Sequence, residues 1–348
     1  MEPLVQKTFT TSRSFTYSYY ISPSSPQTVD TLPPLLLLHG FPDGPILWRP
    51  LLPYLLTLPH CLIIPALLGY HPTSSPLDPT AYNSKGMADD LAELLTAESI
   101  STVIAIGHDW GSFLASRVYV WHPERVVGLA LLNVAYIPPE PTKPMSLEEM
   151  HAIMEKVVGY PTWAYWDLFT GEDGAAVVGG NLERCWEAMH ADRPQPEWMR
   201  QLLCTKGALR EFLTTRGGGG DKIELREYAK EGGVYKEDFF KRMTNKEAGG
   251  IGPALCWYRA HTEHAYFEVE KTLDKEASVL KVPTLFVACP GDAVCRPEFI
   301  QGPVQKGLLP DLTVIEVKEC GHWGLIYEKA EETAGVISGF LKERFQPN

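Results

Sequence analysis

The stretch Val103-Ile104-Ala105-Ile106-Gly107-His108-Asp109-Trp110-Gly111-Ser112 decides the fold. Four consecutive apolar residues read as a buried strand, a small-x-acid-x-small turn follows, and the chain then runs on with helical character. This is the context of a G-x-S-x-G nucleophile elbow with Asp109 where the serine would stand. Gly107 and Gly111 suit a strand-to-helix turn too tight for side chains. The turn sets residue 109 at a helix N-terminus, where free N–H groups and the helix dipole keep a carboxylate ionised. The same ten residues also describe an ordinary strand-to-helix loop whose aspartate is an N-cap. The rest of the chain has to decide between the two.

Working outward, short apolar runs recur at Leu35–Leu38, Leu62–Ile64, Val103–Ile106, Val126–Leu132, Thr284–Ala288 and Leu312–Val317. Their continuous hydrophobicity suits strands covered on both faces, as in a parallel sheet. Helices are expected between them, over Met87–Ala97 with Leu91, Leu94 and Leu95 on one face, and over Thr333–Phe345 with Val336, Phe340 and Leu341. The β/α alternation stops after Asn133, where a proline-rich stretch, 138–144, leads into some 130 residues rich in Trp, Tyr, Met and charge. This section lacks strand-like runs and reads as helical, with a flexible loop at Gly217–Gly220. The alternation resumes near Val282. The expected organisation is a mostly parallel sheet flanked by helices, formed by residues 1–137 and 273–348, with a helical cap inserted over 138–272 that could roof a site.

Composition narrows the function. The chain has 348 residues, 45% of them hydrophobic, and a formal charge of −12. Such length fits one large domain or a core with an insertion. No Lys/Arg cluster stands out, which argues against nucleic-acid or membrane partners and for a small neutral or apolar ligand. The first thirty residues contain no continuous apolar segment of the secretory kind, and the apolar runs are too short to span a bilayer. Cys61, Cys185, Cys204, Cys256, Cys289, Cys295 and Cys320 include no C-x-x-C pair. They read as reduced, mostly buried thiols, with neither a disulfide framework nor a zinc site. The C-terminus carries no retention or peroxisomal signal. The cytoplasm is the expected location. No cofactor or metal is expected, and the sequence leaves the oligomeric state open.

A carboxylate nucleophile constrains the chemistry. Attack on an ester would give only an anhydride, whereas attack on an sp3 carbon with a leaving group gives a stable alkyl ester. Hydrolysis of that ester needs a base and an oxyanion hole. His322, in Glu319-Cys320-Gly321-His322-Trp323, follows a strand run and comes after Asp109 and Asp292 in the order nucleophile, acid, histidine. Asp292, in Pro290-Gly291-Asp292-Ala293, also follows a strand and can hold the imidazole by its other nitrogen. For the oxyanion hole, Trp110 offers the N–H after the nucleophile, and His39-Gly40-Phe41-Pro42, directly after Leu35–Leu38, offers that of Phe41.

At this point the chain resembles the epoxide hydrolase branch of the α/β-hydrolase superfamily, of the fungal and soluble-epoxide-hydrolase type, from about Leu35 to Leu341. His39-Gly40-Phe41-Pro42 is similar to the family's H-G-x-P, Gly107-His108-Asp109-Trp110-Gly111 to its nucleophile turn, and Gly291-Asp292 and Gly321-His322-Trp323 to its acid and histidine segments. The resemblance implies the α/β-hydrolase fold and places His39, Pro42, Trp110 and Trp323 around the substrate. It further implies two cap tyrosines that protonate the alkoxide leaving an epoxide. Pro253-Ala254-Leu255-Cys256-Trp257-Tyr258-Arg259 resembles the family's N-W-Y-R segment, with cysteine in place of asparagine, and gives Tyr258. For the other tyrosine, Gly159–Trp166 offers Tyr160 and Tyr165; Tyr165 is preferred because Trp166–Phe169 continues the aromatic pattern. The implied activity is opening of an epoxide, in some relatives a natural-product epoxide, to a vicinal diol through an aspartyl ester. Haloalkane and haloacid dehalogenases share the nucleophile and remain an alternative, although they usually carry Asn or Glu at the position of Phe41, or Arg at that of Trp110. A catalytically silent binding protein is a third reading, against which stands a triad with no member missing.

Overall fold

The apolar runs pair side by side in an eight-stranded sheet. Its strands are β1 (Val5–Thr10), β2 (Thr16–Ile21), β3 (Leu35–Leu38), β4 (Leu62–Pro65), β5 (Val103–His108), β6 (Val126–Leu132), β7 (Thr284–Ala288) and β8 (Leu312–Glu316), in spatial order β1-β2-β4-β3-β5-β6-β7-β8. The computed structural model describes residues 1–23, 32–139, 142–215 and 223–346. From β4 to β8 every neighbouring pair is parallel, while β1 and β2 add an antiparallel edge. In β3, Leu36 and Leu38 point into one buried cluster and Leu35 and Leu37 into the other. Ala105 in β5 does the same against Ile104 and Ile106. Successive strand residues face opposite sides, so a strand with helices on both faces has to be apolar throughout.

Two expectations need correction. Strands β1 and β2 had no apolar run to announce them: β1 is almost wholly exposed and β2 reads Thr-Tyr-Ser-Tyr-Tyr-Ile. At the other edge β8 is not covered on both faces, and Val314 is 48% exposed. Element ends also move. The helix expected from Met87 begins at Ser84, because the Asn83 side chain caps it by accepting from the Gly86 N–H at 2.8 Å. The C-terminal helix runs over Ala330–Phe345. The Gly217–Gly220 loop, Glu140-Pro141 of the proline-rich stretch and the last two residues lie outside the described residues.

Between β6 and β7 the described residues form helices and irregular connections, with one isolated bridge, Ala191 to Leu225, and no strand. Helix Leu147–Val158 starts with a capping box of Ser146 and Glu149. A buried ion pair ties this segment to the elbow: Arg117, on helix Trp110–Trp121, donates to Glu270 at 2.7 and 3.2 Å and to the Ile137 carbonyl at 2.6 Å. Removing one partner would leave a buried charge uncompensated, which typically costs about 3–5 kcal/mol. Among the described residues no helix is long and apolar enough to cross a membrane. Six of the seven cysteines are buried and all are free.

Candidate active site

Asp109 sits between β5 and helix Trp110–Trp121 with φ 55° and ψ −127°, a conformation that an L-residue keeps only when its surroundings enforce it. The surroundings are glycines. A Cβ on Gly107 would lie 2.1 Å from the Gly111 carbonyl oxygen, and one on Gly111 would lie 1.9 Å from that of Leu38. The tight crossing raises the Asp109 side chain above the C-terminal edge of the sheet. There the Phe41 N–H donates to Oδ1 at 2.8 Å, and the Trp110 N–H is a second backbone donor to the carboxylate. Gly40 makes that approach possible, since a Cβ there would lie 2.2 Å from Oδ1.

The acid and the histidine arrive from the ends of β7 and β8. His322 Nδ1 lies 2.5 Å from Asp292 Oδ2, and its Nε2 lies 3.7 Å from Asp109 Oδ2. Asp292 is fully buried and saturated: Oδ1 accepts the N–H groups of Val294 and Cys295, both at 2.8 Å, and Oδ2 accepts the Asn133 amide at 3.0 Å. Burial opposes its charge, yet His322 and these donors outweigh burial and hold its pKa at about 2. Burial likewise opposes a charged His322, but Asp292, Asp109 and Asp43 lift its pKa to about 9. For Asp109 burial raises the carboxyl's pKa, while His322 and the two N–H groups work the other way.

Two tyrosines face this carboxylate from the helical segment. Tyr165, which precedes helix Trp166–Phe169, and Tyr258, on helix Gly252–Thr262, have ring centroids 5.9 Å apart. Burial first, and then Asp109 for Tyr165 and the neighbouring Tyr165 followed by Asp109 for Tyr258, push both phenols well above their ordinary range, so both are neutral at physiological pH. Tyr160 points elsewhere and donates to the Ala293 carbonyl at 3.0 Å.

The cavity has two lobes. The larger, about 240 Å³, runs from Asp109 along Trp110, Trp166, Met154 and Phe299 to Ile153 and Val157, which are exposed on helix Leu147–Val158. The smaller, about 30 Å³, lies between Phe41, Tyr258, Met199, Leu203, His322 and Trp323. Asp109, Tyr165 and Val294 line both lobes, so the carboxylate stands at their junction.

Of the residues singled out in the sequence, Asp109, His322, Asp292, Tyr165, Tyr258, Phe41, Trp110 and Trp323 are brought together here. His39 and Pro42 are not. His39 is fully buried, with Nδ1 3.0 Å from the Gly40 carbonyl and Nε2 accepting the Leu67 N–H at 3.0 Å. Burial lowers its pKa to about 3, and it braces the turn as a neutral ring. Pro42 follows a cis peptide bond and its carbonyl accepts from Arg242. Neither side chain lines the cavity.

Three supporting residues escaped the sequence reading. Asn133 directly follows β6 with φ 67° and holds Asp292; its place just past a strand's C-terminal end was the available signal. His108 lies 3.0 Å by Nε2 from the His322 carbonyl and steadies that loop. Asp43 accepts from Trp323 at 3.0 Å and Tyr327 at 2.9 Å, with burial raising its pKa to about 6. Asp292, Cys295 and His322 bring potential ligand atoms within 4.8 Å of one another. The Asp292 oxygens and His322 Nδ1 are already committed to hydrogen bonds with one another, with Asn133 and with backbone N–H groups.

Comparison with known proteins places the family and the fold. Residues 33–329 match the alpha/beta hydrolase fold family. The chain is 30% identical to Epoxide hydrolase srdG of Neurospora crassa over 95% of its own length and 93% of that protein. It is 27% identical to Bifunctional epoxide hydrolase 2 of Rattus norvegicus over 90% of its length, and spans about half (52%) of that larger protein. In fold it is similar to an epoxide hydrolase from an endophytic Streptomyces, with a TM-score of 0.76 at 21% identity covering 98% of this chain and 96% of that one. This chain belongs to the alpha/beta hydrolase fold family and, within it, to the epoxide hydrolase branch.

Proposed function

We propose that this protein hydrolyses an apolar epoxide to a vicinal diol through a covalent ester on Asp109. The observation that carries the reading is the meeting of opposites at one point. A carboxylate aimed by strained backbone stands between two neutral phenols above and an imidazole 3.7 Å to one side. Asp109 attacks an epoxide carbon while Tyr165 and Tyr258 donate to the ring oxygen, whose leaving alkoxide is too basic to depart unprotonated. His322 then removes a proton from water, which attacks the ester carbonyl. The N–H groups of Phe41 and Trp110, already aimed at the carboxylate, stabilise the oxyanion, and Asp292 holds the imidazolium.

Electrostatics orders the two half-reactions. While Asp109 is ionised it helps keep His322 protonated; once esterified it carries no charge, one of the groups that raise the histidine's pKa is gone, and the imidazole becomes free to act as a base. A dehalogenase would expel halide, which needs no proton, and would leave the paired phenols without a task.

Residues 138–272 act as the cap, inserted into a core of 1–137 and 273–348, and enclose the reaction away from bulk water. The lobes suggest the substrate's shape. The small lobe has room for about two waters or a short alkyl group, and the large lobe for an extended apolar arm. The reading is therefore an epoxide near one end of an apolar chain, as in a natural-product or lipid-like substrate. A single turnover in ¹⁸O-labelled water with enzyme in excess tests the covalent route. The first diol should carry an unlabelled oxygen taken from Asp109, with label entering the carboxylate; label in the first diol would mean direct attack by water and would overturn the ester.

A further inference from the structure

The loops carrying Asp292 and His322 share a second contact, between sulfurs. Cys289, at the end of β7, and Cys320, after β8, lie with Sγ atoms 3.4 Å apart. The Cys289 thiol also donates to the Cys320 carbonyl at 2.9 Å. The two backbones are pressed together around this pair: the Val317 N–H donates to the Ala288 carbonyl at 2.9 Å, and a Cβ on Gly291 would lie 2.1 Å from the Cys320 oxygen. From Cys289 the chain runs through Pro290 and Gly291 to Asp292, and from Cys320 through Gly321 to His322. The sulfurs thus sit directly behind the acid and the base.

Both cysteines are buried, but Cys320, 5% exposed, lines a surface cleft of about 630 Å³ together with Gln195, Pro196, Arg226 and Glu319, whereas Cys289 is 0% exposed and does not line it. The neighbouring sulfur and burial hold Cys289 firmly as a thiol, so oxidation begins at Cys320.

We propose that Cys289 and Cys320 form a reversible oxidation site, and that their disulfide changes how His322 is held. The oxidant is a hydroperoxide. The Cys320 sulfur attacks its terminal oxygen, an S–O bond forms as the O–O bond breaks, and water or an alcohol leaves, giving a sulfenic acid. The Cys289 sulfur then attacks Cys320: the S–S bond forms, the S–O bond breaks, and the departing hydroxide takes the Cys289 proton as water. Two electrons pass from the thiols to the peroxide. An S–S bond is about 2.05 Å long, so the sulfurs have to close by more than ~1 Å and the Cys289 donor to the Cys320 carbonyl is lost. That movement is delivered two residues from an imidazole held at 2.5 Å by Asp292. Through the roles proposed above, the damage falls on ester hydrolysis and not on attack by Asp109.

The test treats the full chain with hydrogen peroxide, then with dithiothreitol, and follows three readouts. Intact mass and peptide mapping should show loss of two hydrogens and a Cys289–Cys320 link. The His322 imidazole titration, read by NMR, should move on linking and return on reduction. Turnover of a styrene oxide probe should fall roughly 10²-fold, as displacements of about 1 Å in a site can cause, with ester-bearing enzyme accumulating. Cys289→Ala should take up no link and keep its turnover under peroxide; Cys320→Ala gives the same comparison if the first variant does not fold. Oxygen added to Cys320 without a link, a link between other cysteines such as Cys204 and Cys295, or a link that leaves the His322 titration unmoved would overturn the proposal. An untreated enzyme without epoxide turnover would count against the proposed function alone, since the link and the titration are read without turnover.

Discussion

The floor and the roof of the cavity hold their groups by different means. On the floor, Asp109 and Asp292 are seated by backbone, through a positive φ and four N–H donors to their carboxylates, and Asp292 in turn holds His322. In the roof, Tyr165 and Tyr258 are set by aromatic packing. Tyr258 meets Phe41, Trp110, Trp166 and Phe169 edge-on, with ring centroids 5.0 to 5.4 Å apart. Charge sits on the floor and polarity without charge in the roof. The two carboxylates are thus fixed largely by main-chain N–H groups, with His322 held through Asp292, while the two phenols are fixed by the rings around them. Loss of a floor residue should then stop a step, and loss of one roof residue should slow it.

The largest expected effect tests the floor. His322→Gln should leave alkylation running and block ester hydrolysis, lowering steady-state turnover by about 10⁴. Intact-protein mass spectrometry should show Asp109 carrying the mass of the substrate; turnover without any adduct would remove His322 from the role of base. For the roof, Tyr165→Phe and Tyr258→Phe should each cost about 10², the low end for a positioned general acid, because the partner still donates. The double variant should approach about 10⁴ in single-turnover alkylation. If either single variant is as inactive as the double, the roof behaves like the floor and the contrast fails.

A third prediction concerns pH. His322 is lifted to about 9 in the resting site chiefly by Asp292, so Asp292→Asn should bring its titration down, visible by NMR. The Phe variants carry no change of charge and should leave it near its original position. The sign for stability follows from the same shift. The folded pKa of about 9 exceeds the unfolded value of about 6.5, so this histidine's contribution is fully present below pH ~6.5 and is lost as pH rises through 9. Asp292 runs the other way: its folded pKa of about 2 makes a contribution present above pH ~4 that is lost as pH falls toward 2. The smallest expected effect is that of Tyr160→Phe, which loses only a hydrogen bond to the Ala293 carbonyl. That should cost about 0.5–1.5 kcal/mol in a melting experiment with little change in turnover. A large loss of alkylation rate would move the roof's first tyrosine from 165 to 160.

The sequence by itself determined what local sterics and chain order control. Gly107 and Gly111 announced a turn that no Cβ could enter, the apolar runs announced strands buried on both faces, and Asp109, Asp292 and His322 followed in the order that parallel strand ends bring together. Strand β1 stayed hidden because an exposed antiparallel edge needs no apolar run, and β2 because its buried positions are filled by Tyr17, Ser18 and Tyr19, not by an aliphatic run. Only the tertiary structure decided what depends on side-chain direction between distant segments. Tyr165 turns into the cavity and Tyr160 away from it; His39, two residues before Phe41, spends both ring nitrogens on the backbone. Asn133 and Asp43 reach partners more than 150 residues away. The unequal lobes arise from surfaces that meet only after the helical segment has packed onto the sheet, and the facing sulfurs of Cys289 and Cys320 from the pairing of β7 with β8. Spacing along the chain says which residues can share a face; packing says which way each one points.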